Sequence, residues 1–186
     1  RSPRVARRAR ARALSEEPWT LAEMARLSAQ HGAGSMLKSQ GVAVMPQIFE
    51  VNLLQEVLQA FQRLRTTSQR EEFKFGDLRA QREAVHLPYQ QPFDSLPLLG
   101  RDSLLLEPLQ AYLGPDFVLE SALVITVEGG TATMNAHTDT EDDGSVSVHI
   151  PLQPLEESFA PLSFCPGTHR DVELLDRAGE EARRWR

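Results

Sequence analysis

Two side chains with the right types and spacing for metal chemistry stand at His137 and Asp139, separated only by Thr138. In an extended strand, residues i and i+2 face the same side, so an imidazole nitrogen and a carboxylate oxygen can reach one ion. Two His and one carboxylate on one face, with open positions opposite, suit ferrous iron that must also bind a cosubstrate and O2. The chain has one cysteine, Cys165, so a cluster of thiolates is excluded and any metal must use His, Asp and Glu. A second His-x-Asp triplet, His169-Arg170-Asp171, means that spacing alone does not choose between them. Position does. The first triplet ends a β-compatible run and precedes a polar loop, Thr140 to Gly144. The second follows Pro166-Gly167-Thr168, a turn, where strand alternation does not apply.

Other elements must hold these residues in place. Thr20-Leu21-Ala22-Glu23 has capping-box spacing. Leu21, Met24 and Leu27 follow at helical intervals, and Gly32 is a stop. Gly41 to Pro46 is a short apolar run between breakers, which predicts a strand. Asn52 can cap a second helix with the stripe Leu54, Val57, Leu58, Phe61 and Leu64, running to about Thr67. Residues 68–83 read as a loop, and Ala84 to Leu87 as a short strand closed by Pro88. A third helix starts near Asp102 or Ser103, with Pro108 marking a kink or a later start, and stops at Gly114-Pro115.

Beyond Gly114 the pattern turns to β. Phe117 to Glu128, Thr131 to His137, Ser145 to Ile150 and Leu162 to Cys165 read as strands, with Gly129-Gly130 and Pro166-Gly167 as turns. Val172 to Arg186 reads as helix or loop. Helices first and an all-β half after them suggest an α+β, mainly β domain with a sandwich or barrel-like core.

Composition narrows the function classes. The net charge is −6, yet six of the 20 Lys and Arg and none of the 26 acids fall in residues 1–12. The acidic body is a poor nucleic-acid binder, so any such contact falls to the Arg-rich arm. We read residues 1–15 as a basic, disordered arm and 16–186 as the domain. No apolar run is long enough for a membrane helix. A single thiol fits a reducing, intracellular, cytoplasmic setting, with organelle targeting by the arm as the other option. Arg1 in place of Met, and a charged helix-compatible stretch at the end, read as a piece of a longer chain. No P-loop, Rossmann fingerprint or nucleophile elbow is present.

Gly130-Thr131-Ala132-Thr133-Met134-Asn135-Ala136-His137-Thr138-Asp139 resembles the segment leading to the first iron ligands of phytanoyl-CoA dioxygenase-like proteins. Ala160 to Arg170, with Pro166-Gly167-Thr168-His169, resembles that family's downstream signature. Two ordered motifs are more specific than either alone, and Gly41-Val42-Ala43-Val44 between helices is similar too. The likeness spans about residues 20–170, and its distinctive part is 130–170.

The resemblance implies a double-stranded β-helix (jelly-roll, cupin-like) oxygenase using Fe(II), 2-oxoglutarate and O2 to hydroxylate an unactivated C–H bond of a small organic or acyl substrate. It makes His137 and Asp139 ligands, puts His149 in the cosubstrate pocket, and makes His169 a structural or site-adjacent residue, with third-ligand duty as the alternative in a chain without the later His. The carboxylate of Asp139 favours hydroxylation over halogenation. In the family, a further His and an Arg that pairs with 2-oxoglutarate come later than Arg186, so the implied core lacks its C-terminal part. Two other readings stand beside this one. One is a catalytically inactive jelly-roll binding module. The other is a cupin-like protein of another divalent metal, completed by His169 or His149. His31 and His86 read as loop or surface residues, Glu141-Asp142-Asp143 as a solvated loop, and Cys165 as a small buried hydrophobe. Arg79, Arg82 and Glu83 are candidates for a site entrance.

Overall fold

The computed structural model describes residues 19–66, 74–75, 82–93, 103–128, 144–155, 162 and 164–170. Helix α1 spans Leu21–His31. Its start is the predicted capping box: the Glu23 N–H donates to Thr20 Oγ1 at 3.2 Å, and the Thr20 N–H donates to Glu23 Oε2 at 3.0 Å. Two amides that the first helical turn leaves without partners are satisfied this way. Met24 and Ser28, four residues apart, form the buried face.

Gly32, at φ 81°, ends α1 and at once begins α2, Ala33–Gln40. α2 closes at Gly41, whose left-handed φ of 73° suits glycine. The apolar run after it joins no ladder among the described residues. Instead the Val44 N–H donates to the buried Ser28 Oγ at 3.0 Å. A side chain of α1 thus satisfies an amide that a strand partner would otherwise take.

Helix α3, Val51–Thr66, buries Val57, Ala60 and Phe61. These meet Val85 and Phe93 in the main core, with Leu53, Leu64, Leu87, Val124 and Leu152 packed around them. Among the described residues the sheet facing α3 is antiparallel and three-stranded, in the order β1 (Lys74–Phe75), β2 (Arg82–His86), β3 (Leu123–Val127). β2 pairs with β3 so that Val85 sits opposite Val124 and Glu83 opposite Thr126. Alternation along β2 turns Glu83 and Val85 to the same face. That face meets α3, because Val85 enters the core and Glu83 binds Arg65. Val85 is fully buried, a contribution of about 1.5–3 kcal/mol.

Helix α4, Leu106–Leu113, starts later than the earliest predicted residue. Pro108 therefore lies in its first turn, where no helical N–H is needed and no kink is required. Ser103 Oγ accepts from the Leu105 N–H at 3.2 Å just ahead of it. α4 lies close on α2: a Cβ built at Gly34 would stand 2.7 Å from Ala111 Cβ. The backbones meet there because residue 34 has no side chain.

β1 and the start of β2 lie in residues 68–83, which read as a loop in the sequence, and β2 runs Arg82–His86 where the sequence predicts Ala84 to Leu87. Of Phe117 to Glu128, only Leu123–Val127 pairs, and Ser145 to Ile150 enters no ladder among the described residues. The segment expected to extend the β half, Thr131 to His137, lies outside the described residues, so the jelly-roll remains an expectation drawn from sequence.

Candidate metal centre

His137 and Asp139, with Glu141-Asp142-Asp143, lie outside the described residues. β3 ends at Val127 on their upstream side, and the described chain resumes at Gly144. The residues around the second motif are placed, and they make a defined structure.

Cys165-Pro166-Gly167-Thr168 is a β-turn. Proline fixes φ at its second position, and glycine takes a φ of 85° at its third, the arrangement of a type II turn. The Thr168 N–H and Oγ1–H both donate to the Cys165 carbonyl, at 3.3 and 2.7 Å. Pro166 and Thr168 are buried. The turn is also bound to the helical half, because the Gly167 N–H donates to the Gln40 carbonyl at 2.7 Å. His169, next in the chain, lies on Gly41. A Cβ built at Gly41 would overlap the Cβ and Cγ of His169 and stand 2.6 Å from its Nδ1. Both ring nitrogens of His169 are removed from solvent.

His149 is exposed. Its ring meets Phe164 edge-on, with centroids 6.3 Å apart and planes at 64°, a favoured aromatic geometry. The structure thus brings His149, which the resemblance puts in the cosubstrate pocket, against Phe164 of the second motif. It does not bring His149 and His169 into a three-donor group: among the described residues no three His, Cys, Asp or Glu are arranged to hold an ion. The described residues therefore supply no metal cage by themselves.

Several other candidates are placed. His31 and His86 are exposed, at the ends of α1 and β2. Glu83 is turned toward α3, where its Oε2 lies 2.9 Å from Arg65 Nη2; Arg79 lies outside the described residues. Cys165 is half-buried, and that burial pushes its thiol up from the ordinary value. A thiol so shifted carries less of the nucleophilic thiolate, which agrees with a packing role.

Sequence reasoning did not find the seat of His169 on Gly41, nor the Arg65–Glu83 pair. The only local signal for the first was a glycine at the end of α2. A glycine there is explained by helix termination alone, and nothing in the linear pattern connects it to residue 169. Compared with known proteins, the chain matches no family model, no curated protein and no solved structure.

Proposed function

We propose that this chain is a non-haem Fe(II)/2-oxoglutarate-dependent oxygenase of the phytanoyl-CoA dioxygenase-like kind, which hydroxylates a small organic or acyl substrate. The observation that carries the reading is the ordered pair of sequence motifs, His137-Thr138-Asp139 and Pro166-Gly167-Thr168-His169. His137 and Asp139 would hold the iron through one imidazole nitrogen and one carboxylate oxygen, and His149 would face the cosubstrate. The iron, when bound with 2-oxoglutarate, supplies the activation of O2 that C–H hydroxylation needs. The second motif supports the reading by forming a defined, partly buried turn directly after Phe164, whose ring meets His149.

The test is anaerobic titration of the 186-residue chain with ferrous iron, wild type against His137→Ala and Asp139→Ala. Each substitution removes one charge-bearing or imidazole donor and is expected to weaken iron at least about tenfold. Unchanged affinity in both variants would sink the iron site. Succinate formed from 2-oxoglutarate then separates an enzyme from a module that keeps the fold and binds metal without turnover.

A further inference from the structure

We propose that the His169 imidazole acts as a clasp, a positioning residue that seats on Gly41 and pins the 164–170 turn to the end of α2. Four observations carry this. Gly41 has no side chain, and the His169 ring takes up the space a Cβ would need. The left-handed φ of Gly41 points the chain away from α2 at that spot, so the residue is suited to glycine twice over. Two residues before His169 and one before Gly41, the Gly167 N–H bonds to the Gln40 carbonyl at 2.7 Å, so backbone and side chain close the same joint. Both His169 ring nitrogens are out of solvent in this packed position.

The joint has a consequence for the candidate site. Phe164 stands at the start of the same turn and touches His149 edge-on. Thr168 ties the turn together through the Cys165 carbonyl, so the segment moves as a unit. Releasing His169 from Gly41 therefore shifts Phe164 and frees the His149 ring. The clasp needs no metal; only the importance of His149 to a cosubstrate rests on the function proposed above.

The test uses the whole chain without metal and then with ferrous iron alone. In His169→Ala, the melting temperature is expected to fall by about 3–6 °C. The His149 ring-proton signals, identified by their loss in His149→Gln, are expected to move in the direction seen in Phe164→Leu, because the Phe164 ring current is withdrawn. Gly41→Ala pushes from the other side of the joint and is expected to move the same signals. If His169→Ala does not fold, Gly41→Ala and His169→Gln carry the measurement. The double variant Gly41→Ala/His169→Gly is expected to be no less stable than Gly41→Ala alone, since the overlap is relieved. Unmoved His149 signals in the folded variants overturn the clasp. So does loss of iron in His169→Ala at unchanged melting temperature, which would make His169 a ligand. Iron retained by both His137→Ala and Asp139→Ala defeats the oxygenase reading and leaves the clasp standing.

Discussion

The Arg65–Glu83 pair offers a test of how the sheet is held to α3, because its two ends differ in burial. Arg65 donates to Glu83 Oε2 through both Nη2 and Nε, at 2.9 and 3.1 Å. The Arg65 side chain is 40% exposed and that of Glu83 only 11%. Replacing Glu83 by Gln leaves a guanidinium that water can solvate, and the cost is about 0.5–1 kcal/mol. Replacing Arg65 by Met keeps the aliphatic stem but strips the cation from a carboxylate enclosed under α3. Breaking a fully buried pair costs about 3–5 kcal/mol. Discounting for the solvated half of Arg65 brings this to about 2 kcal/mol. For a chain of this size that is a fall of about 4–8 °C in melting temperature.

A double replacement sharpens the test. Arg65→Met with Glu83→Leu fills the same space with apolar groups and removes both charges. Its stability is expected within about 1 kcal/mol of wild type, and above that of Arg65→Met alone. Urea unfolding followed by far-UV circular dichroism reads all four species. If Arg65→Met costs no more than Glu83→Gln, the carboxylate is not enclosed as described. If the double variant is no more stable than Arg65→Met alone, the pair is not an interacting unit.

Two further outcomes follow from local geometry. Gly34→Ala should lower the melting temperature, although helix propensity alone predicts a gain of about 1 kcal/mol, because the new methyl meets Ala111 Cβ at 2.7 Å; Ala111→Gly should restore part of the loss. Cys165 has a thiol raised in the folded chain by burial, so iodoacetamide should label it more slowly in the folded chain than in urea. The folded value lies above the unfolded one, so this contribution is full below the ordinary 9.0 and fades as pH rises through the folded value. Cys165→Ala should flatten that alkaline loss in pH-dependent melts.

Elements specified by near neighbours were legible in the sequence. The Thr20–Glu23 box needs only residues three apart, and α3 shows its buried stripe directly in Val57, Phe61 and Leu64. The Pro166-Gly167 turn was legible because φ at both central positions is set by residue type. Elements specified from a distance were not. α2 carries Gly34 inside it, a poor helix former, yet the glycine is what lets α4 approach. Val42 to Met45 has strand composition, but Ser28 takes the Val44 amide. β1 lies in a polar stretch and exists by pairing with β2. At the candidate site the turn could be read from its own four residues, whereas its seat on Gln40 and Gly41 could not.

That seat changes how the N-terminal helices relate to the proposed chemistry. They supply the carbonyl of Gln40 and the bare backbone of Gly41, the two surfaces on which the 164–170 turn rests. The neighbouring segment is tied to the helical half as well, since Leu152 packs on the core built by α3 and β2. His149 thus lies three residues before Leu152, which packs on the core, and meets Phe164 across from it. Both attachments lead back to helices, at α3 and at the end of α2. The described β segments thus take their reference points from residues 40–41 and 57–61. On this account, damage at Gly41 reaches His149 through His169 and the 164–170 turn, without touching His137 or Asp139.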